Sequence, residues 1–388
     1  MKVSKYAIAL VAILLGGGPA LTQESIKIGL LAPMSGSLSV VGNEVVDGFK
    51  LGLSQVGNKI AGRPVELFIG DDQGKPDVGR QAMIKLLQSD RVDIAVVGGL
   101  SNILLAVTQP VFATDKILLS VNPGTSVYAG KECNQNFFVT SFQNDGMPEA
   151  VGAYMNERYK RVYFMAPNYQ GGRDTYEGFK RYYKGEIVDA TFTPFNQLDF
   201  AAEIAEIRQK KPEAVYFFYF GSLAVDFLKQ WAQSGLKDVQ LVTHLSLDQT
   251  LMPAVGDAAL GIKVGTMWSE DLDNPANKTF VKAFRETYKR IPSPFAANSY
   301  DGARLLTAAA TSIGGKIEDT NALRRALEAA KFNSVRGKFR FNKNHFPIQD
   351  YFMTEIVKNS DGTYGFVPRE PIFKDHADAY VGECQMSK

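Results

Sequence analysis

The sequence predicts an α/β protein made of two doubly wound parallel-sheet lobes. Three observations predict it. Short runs of β-branched, aliphatic and aromatic residues alternate with amphipathic helical patterns along most of the chain. The alternation falls into two series, one before about residue 142 and one after it. No stretch rich in Pro, Gly or Ser separates the series, so the lobes are expected to be joined by chain passing directly between them and not by a loose tether.

Residues 26–31, 65–69, 94–97 and 117–121 are the strand runs of the first series. Those of the second are residues 162–165, 187–192, 214–218, 240–243 and 261–267. Most are almost continuously apolar, the pattern of strands covered on both faces. Between them, Val46, Phe49, Leu53 and Val56 recur at helical spacing, as do Phe200, Ile204 and Ile207, and Val225, Leu228 and Trp231. Beyond Trp268 the pattern is helical over residues 280–288, 302–313 and 320–330. Extended pieces follow at 338–341, 351–358 and 364–368, the last two joined as a hairpin through Asn359-Ser360-Asp361-Gly362.

A chain of 388 residues is long enough for two such units. Its 45% apolar and 22% charged residues are those of an ordinary globular protein and exclude long disordered tracts. Net charge is +2, and without the first 20 residues the count is 41 basic against 41 acidic. That balance offers nothing to neutralise a phosphate backbone, so nucleic acid is excluded as a partner. The N-terminus carries Lys2 and Lys5, an apolar run over residues 6–15, three glycines, Pro19 and Ala20. This is the layout of a secretory signal peptide over residues 1–20; the run is too short to span a membrane, and no cysteine follows it to take a lipid. In an oxidising compartment Cys133 and Cys384 most simply form one disulfide, tying the C-terminus to the body; the alternative is two buried thiols.

Catalytic signatures are absent. The chain has no Gly-x-Gly-x-x-Gly after a strand, no phosphate-cradling loop ending in Gly-Lys-Ser/Thr, no His-Glu-x-x-His and no Gly-x-Ser-x-Gly. No enzyme, cofactor or metal is therefore expected. His244, His345 and His376 have no ligand spacing and are read as structural. The pair Asp71-Asp72 is read as a solvated strand end, in preference to a cation site.

Parallel sheets bind ligands beyond the carboxyl ends of their strands, where loops meet helix N-termini. Three such loops in the first series are small and hydroxylic: Ala32-Pro33-Met34-Ser35-Gly36-Ser37, Gly98-Gly99-Leu100-Ser101-Asn102 and Asn122-Pro123-Gly124-Thr125-Ser126. Their N–H groups and hydroxyls suit a carboxylate. The second series ends its strands in Asn168-Tyr169-Gln170-Gly171-Gly172, Tyr219-Phe220-Gly221-Ser222 and His244-Leu245-Ser246-Leu247-Asp248. Tyr169, Phe220 and Asp248 lie past their strands and are cleft candidates; Tyr216, Phe217 and Phe218 are read as core.

Three blocks, read in order, resemble the type I periplasmic solute-binding proteins of ABC importers, in their branched-chain-amino-acid-binding branch. They are IKIGLLAPMSGSLSVVGNEVVDGFKLGL, RVDIAVVGGLSN with ILLSVNPGTS, and LGIKVGTMWSEDLDNPANKTFVKAFRETYKRIPSPFAANSYDGARLL. AGKEC, DLDNPAN and YVGECQM are most similar to the subgroup that binds aromatic acids of the benzoate or coumarate type. The resemblance implies a periplasmic monomer that captures a small aromatic or apolar carboxylate and delivers it to an ABC permease. It also implies a three-segment hinge near residues 141–144, 267–270 and 342–346. Lobe 1 would hold residues 21–142 plus 269–343, and lobe 2 residues 143–268 plus 344–388.

Position-matched roles follow from the same resemblance. Ser101 and Asn102 hold the carboxylate, with Gly124, Thr125 and Ser126 as a second carboxylate loop beside Asn122. Val41 stands where amino-acid binders carry an aromatic wall. Tyr169 is the aromatic of the second lobe, and Trp268 lies on the second crossing at the cleft floor. Asp248 falls near the acid that pairs with an α-ammonium in amino-acid binders; in an aromatic-acid binder this region, with His244, meets a ring hydroxyl instead. A branched-chain or other apolar amino acid is thus the alternative ligand. An exported sensing domain for a membrane receptor kinase is the alternative role.

Overall fold

The structure, a computed structural model, describes residues 24–386. The expected signal peptide, residues 1–20, lies outside them. The first sheet holds β1 (Ile26–Ala32), β2 (Lys59–Ile60), β3 (Arg63–Asp71), β4 (Ile94–Val97), β5 (Leu118–Ser120) and β6 (Phe137–Val139), in the order β2-β3-β1-β4-β5-β6. All neighbours pair parallel except β2 with β3. Every residue of β4 and β5 is buried. The helices that cover this sheet follow its strands in the chain: α1 (Ser39–Ser54), α2 (Pro76–Gln88), α3 (Ser101–Phe112) and the short α4 (Ser126–Ala129).

After β6 the chain passes through α5 (Gly146–Asn156) into the second sheet. Its strands are β7 (Arg161–Pro167), β8 (Glu186–Thr193), β9 (Ala214–Phe217), β10 (Gln240–His244), β11 (Lys263–Thr266), β12 (Arg340–Phe341), β13 (Pro347–Lys358) and β14 (Tyr364–His376). The order is β12-β13-β11-β10-β9-β7-β8, with β14 on β13. Helices α6 (Gln170–Tyr182), α7 (Ala201–Lys210), α8 (Ser222–Ser234) and α9 (Met252–Val255) connect its parallel part. The chain then returns: α10 (Pro275–Tyr288), α11 (Pro294–Ser312) and α12 (Thr320–Glu328) lie between β11 and β12. Leu305, Leu306 and Ala310 of α11 and Leu323 and Leu327 of α12 share one core with Ile28 of β1 and Phe49 of α1. Three passages between the sheets therefore follow β6, β11 and α12.

All nine apolar runs form strands, and the 359–362 turn joins an antiparallel hairpin, β13 to β14. Several details differ from the sequence reading, three of them in the elements near the site or the sheet edges. β8 is only half-buried, because it is an edge strand with a neighbour on one side. The helix expected from residue 302 starts at Pro294, where the Ser293 hydroxyl accepts the Ala296 N–H at 3.4 Å. β6 was not expected, as three residues give no periodicity to read.

Cys133 and Cys384 form the disulfide, with Cα atoms 5.6 Å apart. It closes a loop of 251 residues in sequence separation, so it limits the freedom of the unfolded chain strongly. A buried ion pair, Asp301 with Arg336, gathers the first and third passages. Arg336 donates to the Ser141 carbonyl at 2.6 Å, to the Thr140 carbonyl, and to Gln349 of β13 at 2.6 Å. Asp301 accepts from the Ser334 hydroxyl at 2.5 Å and the Val335 N–H at 3.0 Å.

Candidate functional site

Loops at the carboxyl ends of β4, β5, β6, β7, β9 and β10 surround one cleft of about 510 Å³, counting the space open to solvent.

One wall comes from the first sheet. Leu100 precedes α3 in extended conformation and offers no side-chain cap, so the first-turn N–H groups of α3 keep no side-chain acceptor. Ser101 Oγ accepts from Asn144 Nδ2 at 3.0 Å. The same Nδ2 donates to Asp174 at 2.8 Å, while Asn144 Oδ1 accepts the Gly124 N–H at 2.9 Å. Asn122 Nδ2 donates to the Gly99 carbonyl at 2.8 Å. Gly124 has to be glycine: a Cβ there would sit 1.9 Å from the Phe142 carbonyl oxygen. Val41 of α1, Phe142 and Phe295 of α11 complete this wall.

The other wall comes from the second sheet and is aromatic. Tyr169 and Phe220 have ring centroids 6.2 Å apart, Phe218 and Phe220 5.4 Å, and Tyr169 and Phe195 4.7 Å. Gly171 lets the Tyr169 phenol lie over the start of α6, since a Cβ there would be 2.5 Å from its oxygen. His244 stacks on Phe218 at 4.4 Å, and its Nδ1 meets the Tyr216 hydroxyl at 2.7 Å. Burial pushes the His244 pKa down to about 3, so the ring is neutral at ordinary pH. Burial, helped by the neighbouring Asp174 charge, also raises the Tyr169 pKa.

Asp174 of α6 fastens the walls together. It is 3% exposed, accepts from the Ser126 hydroxyl at 2.6 Å, Gln170 at 2.7 Å and Asn144 at 2.8 Å, and receives the Ser126 N–H at 3.3 Å.

Of the residues singled out from the sequence, Val41, Ser101, Asn122, Tyr169, Phe220 and His244 meet in this cleft. Asn102, Gly124, Thr125 and Ser126 lie just behind it. Gly124 and Ser126 donate to Asn144 and Asp174, whereas Thr125 Oγ1 and Asn102 Oδ1 are buried without a partner among the described residues. Asp248 and Trp268 line a neighbouring cavity of about 410 Å³. Asp248 accepts the Thr250 N–H at 2.7 Å and its hydroxyl at 2.5 Å, and burial raises its pKa to about 6. The Trp268 indole N–H donates to Asn277 at 2.8 Å.

One reading needs extending and one correcting. Phe218, read as core, is buried in the core and, one residue past β9, also lines the cleft. Asp72, taken for a solvated strand end, is fully buried, because the Gly98–Gly99 turn folds over it; burial raises its pKa to about 6. Sequence reasoning missed Phe142, Asn144, Thr175, Leu245 and Phe295 as lining residues. The expected crossing at 141–144 carried a signal for the first two, and the strand-end loop at 244–248 one for Leu245. No Asp, Glu, Lys or Arg is among the residues that line the cleft. Among the described residues no His, Cys, Asp and Glu side chains are grouped to hold a metal ion, and no helix is long and apolar enough to cross a membrane.

A family model described as periplasmic binding protein matches residues 25–363. A Leu/Ile/Val-binding protein homolog of Brucella melitensis is 25% identical over 376 residues, covering 93% of this chain and 95% of that one. A solute-binding protein of an ABC transporter from R. palustris, solved in complex with benzoate, is 30% identical with a TM-score of 0.87; the match covers 93% of this chain and 100% of that one. Another, from Rhodopseudomonas palustris BisB5 in complex with 3,4-dihydroxybenzoic acid, is 26% identical with a TM-score of 0.82, covering 91% of this chain and 99% of the other.

Proposed function

The chain belongs to the periplasmic binding protein family, as a solute-binding protein of an ABC transporter, and we propose that its ligand is a small aromatic carboxylate. One observation carries the choice: the cleft pairs aromatic side chains with hydrogen-bond donors and has no carboxylate of its own. An amino acid would bring an ammonium into a gap with no opposite charge, and an unpaired buried charge is strongly disfavoured. Asp248 lies across Leu245 in the next cavity, and the buried Asp174 behind the lining is already taken up by Ser126, Gln170 and Asn144. An aryl acid has no such need. Its carboxylate would meet the uncapped first turn of α3 and the Ser101 hydroxyl, where the helix dipole favours negative charge. Its ring would pack against Tyr169, Phe218 and Phe220. Were Tyr216 to donate to Nδ1, neutral His244 would keep its proton on Nε2 and could donate it to a ligand oxygen.

The ligand would bridge a lobe of residues 21–142 plus 269–343 and a lobe of residues 143–268 plus 344–388. Because it touches both walls only when they approach, it favours the closed form by its differential affinity for that form, and a permease in the membrane would read the result. A thermal-shift screen tests the ligand class. Benzoate, 4-hydroxybenzoate and 4-hydroxycinnamate should raise the melting temperature, since a ligand at about 100 times its Kd adds about 2.7 kcal/mol to the folded state. A rise with leucine or isoleucine and none with the aryl acids would overturn the reading.

A further inference from the structure

We propose, resting on the aromatic-acid reading, that Leu245 is a specificity-determining residue that fixes how long an acid the cleft accepts, by closing it off from the compartment that holds Asp248. Three adjoining hollows, lined by the strand-end loops and α11, meet at this residue. Among the described residues Leu245 alone lines all three. The smallest shares Val41, Phe220 and Phe295 with the cleft and Asp248 with the second cavity, so the three form one interrupted path.

The partition is rigid. Leu245 directly follows His244, which is stacked on Phe218, and its side chain packs with Phe142, Met147, Ala150 and Met267. Its φ of 49° lies in the left-handed region, where a branched side chain is disfavoured and persists only when its surroundings impose it. The far compartment differs from the cleft in chemistry. Besides Trp268 and Phe366 it holds Asp248, whose hydrogen bonds from Thr250 both fall on Oδ1 and leave Oδ2 to accept from a hydroxyl. The extended path thus suits an aryl acid lengthened between ring and carboxylate and hydroxylated at its far end.

Calorimetric titration of wild type, Leu245→Gly and Leu245→Ala with benzoate, cinnamate and 4-hydroxycinnamate tests this. Glycine adopts the backbone angle freely, so Leu245→Gly opens the partition without adding strain. The affinity ratio should move at least tenfold toward 4-hydroxycinnamate in Leu245→Gly, and in the same direction but less in Leu245→Ala. Adding Asp248→Asn to Leu245→Gly should weaken 4-hydroxycinnamate several-fold and leave cinnamate unchanged. A ratio that moves less than twofold in both single variants, with benzoate still bound, overturns the role of Leu245 alone. A wild type that binds none of these acids overturns the aromatic-acid reading and this inference with it. If Leu245→Gly does not fold, the Leu245→Ala ratio decides.

Discussion

The two walls of the cleft occupy equivalent places in two similar sheets, yet they add different groups to a largely apolar lining. Where β4, β5 and β6 end, the chain supplies a bare helix start, a serine hydroxyl and two asparagine amides. Where β7, β9 and β10 end, it supplies Tyr169, Phe218, Phe220 and a neutral histidine. The doubly wound topology fixes only where a ligand sits, beyond the carboxyl ends of the strands. What kind of ligand follows from the residues placed there. A polar wall facing an aromatic wall divides a ligand into an anionic end and a ring.

The largest effect should come from cutting the tie between the walls. Asp174→Ala removes a buried acceptor and leaves the Ser126 hydroxyl and the Asn144 and Gln170 amides without their partner. The expected loss is about 3 kcal/mol of stability, a fall in melting temperature of roughly 4 °C. A fall below about 2 °C would mean that each wall holds its shape alone.

Asp174 and Asn144 also mark where the sequence stopped being legible. The strands were readable because β4, β9 and their neighbours are unbroken apolar runs, and burial on both faces leaves no other composition. Ser101, Asn122, Tyr169 and Phe220 were readable because each directly follows such a strand. Asp174 sits inside an amphipathic helix, where an aspartate ordinarily faces water, and only the approach of the Ser126 loop buries it. Phe295 and, in part, Leu245 were hidden for a similar reason. Phe295 reaches the cleft from the returning helix α11, and Leu245 does so through a backbone angle that composition does not announce.

Matched truncations sharpen the contrast. Phe220→Ala should weaken aryl acids by about 2 kcal/mol, roughly thirtyfold, as a buried aromatic anchor does. Ser101→Ala should cost about 1 kcal/mol. The decisive feature is the pattern across ligands. Loss at Phe220 should be larger for benzoate than for cyclohexanecarboxylate, whereas loss at Ser101 should be equal for both, because it concerns the carboxylate. Calorimetric titration of both variants with both acids reads this. Equal losses in all combinations would show that neither wall has a ligand end of its own.

The smallest expected effect is a null result at His244, and it bears most directly on which wall the residue belongs to. Its pKa of about 3 arises from burial beside Phe218 and Tyr216, so the imidazole Hε1 resonance should not titrate between pH 5 and 8. The folded chain then binds no proton there while the unfolded chain binds one below its ordinary value near 6.5. Stability from this group is therefore complete above about pH 6.5 and is lost as pH drops toward 3. His244→Phe should flatten that part of the acid slope while leaving the opposite contribution of the raised Asp72 and Asp248 in place. A resonance that titrates near 6.5 would make the ring a cation in mild acid. It would then join Ser101 and the start of α3 as a holder of the anion, and the ring-binding wall would lose the neutral residue on which Phe218 stacks.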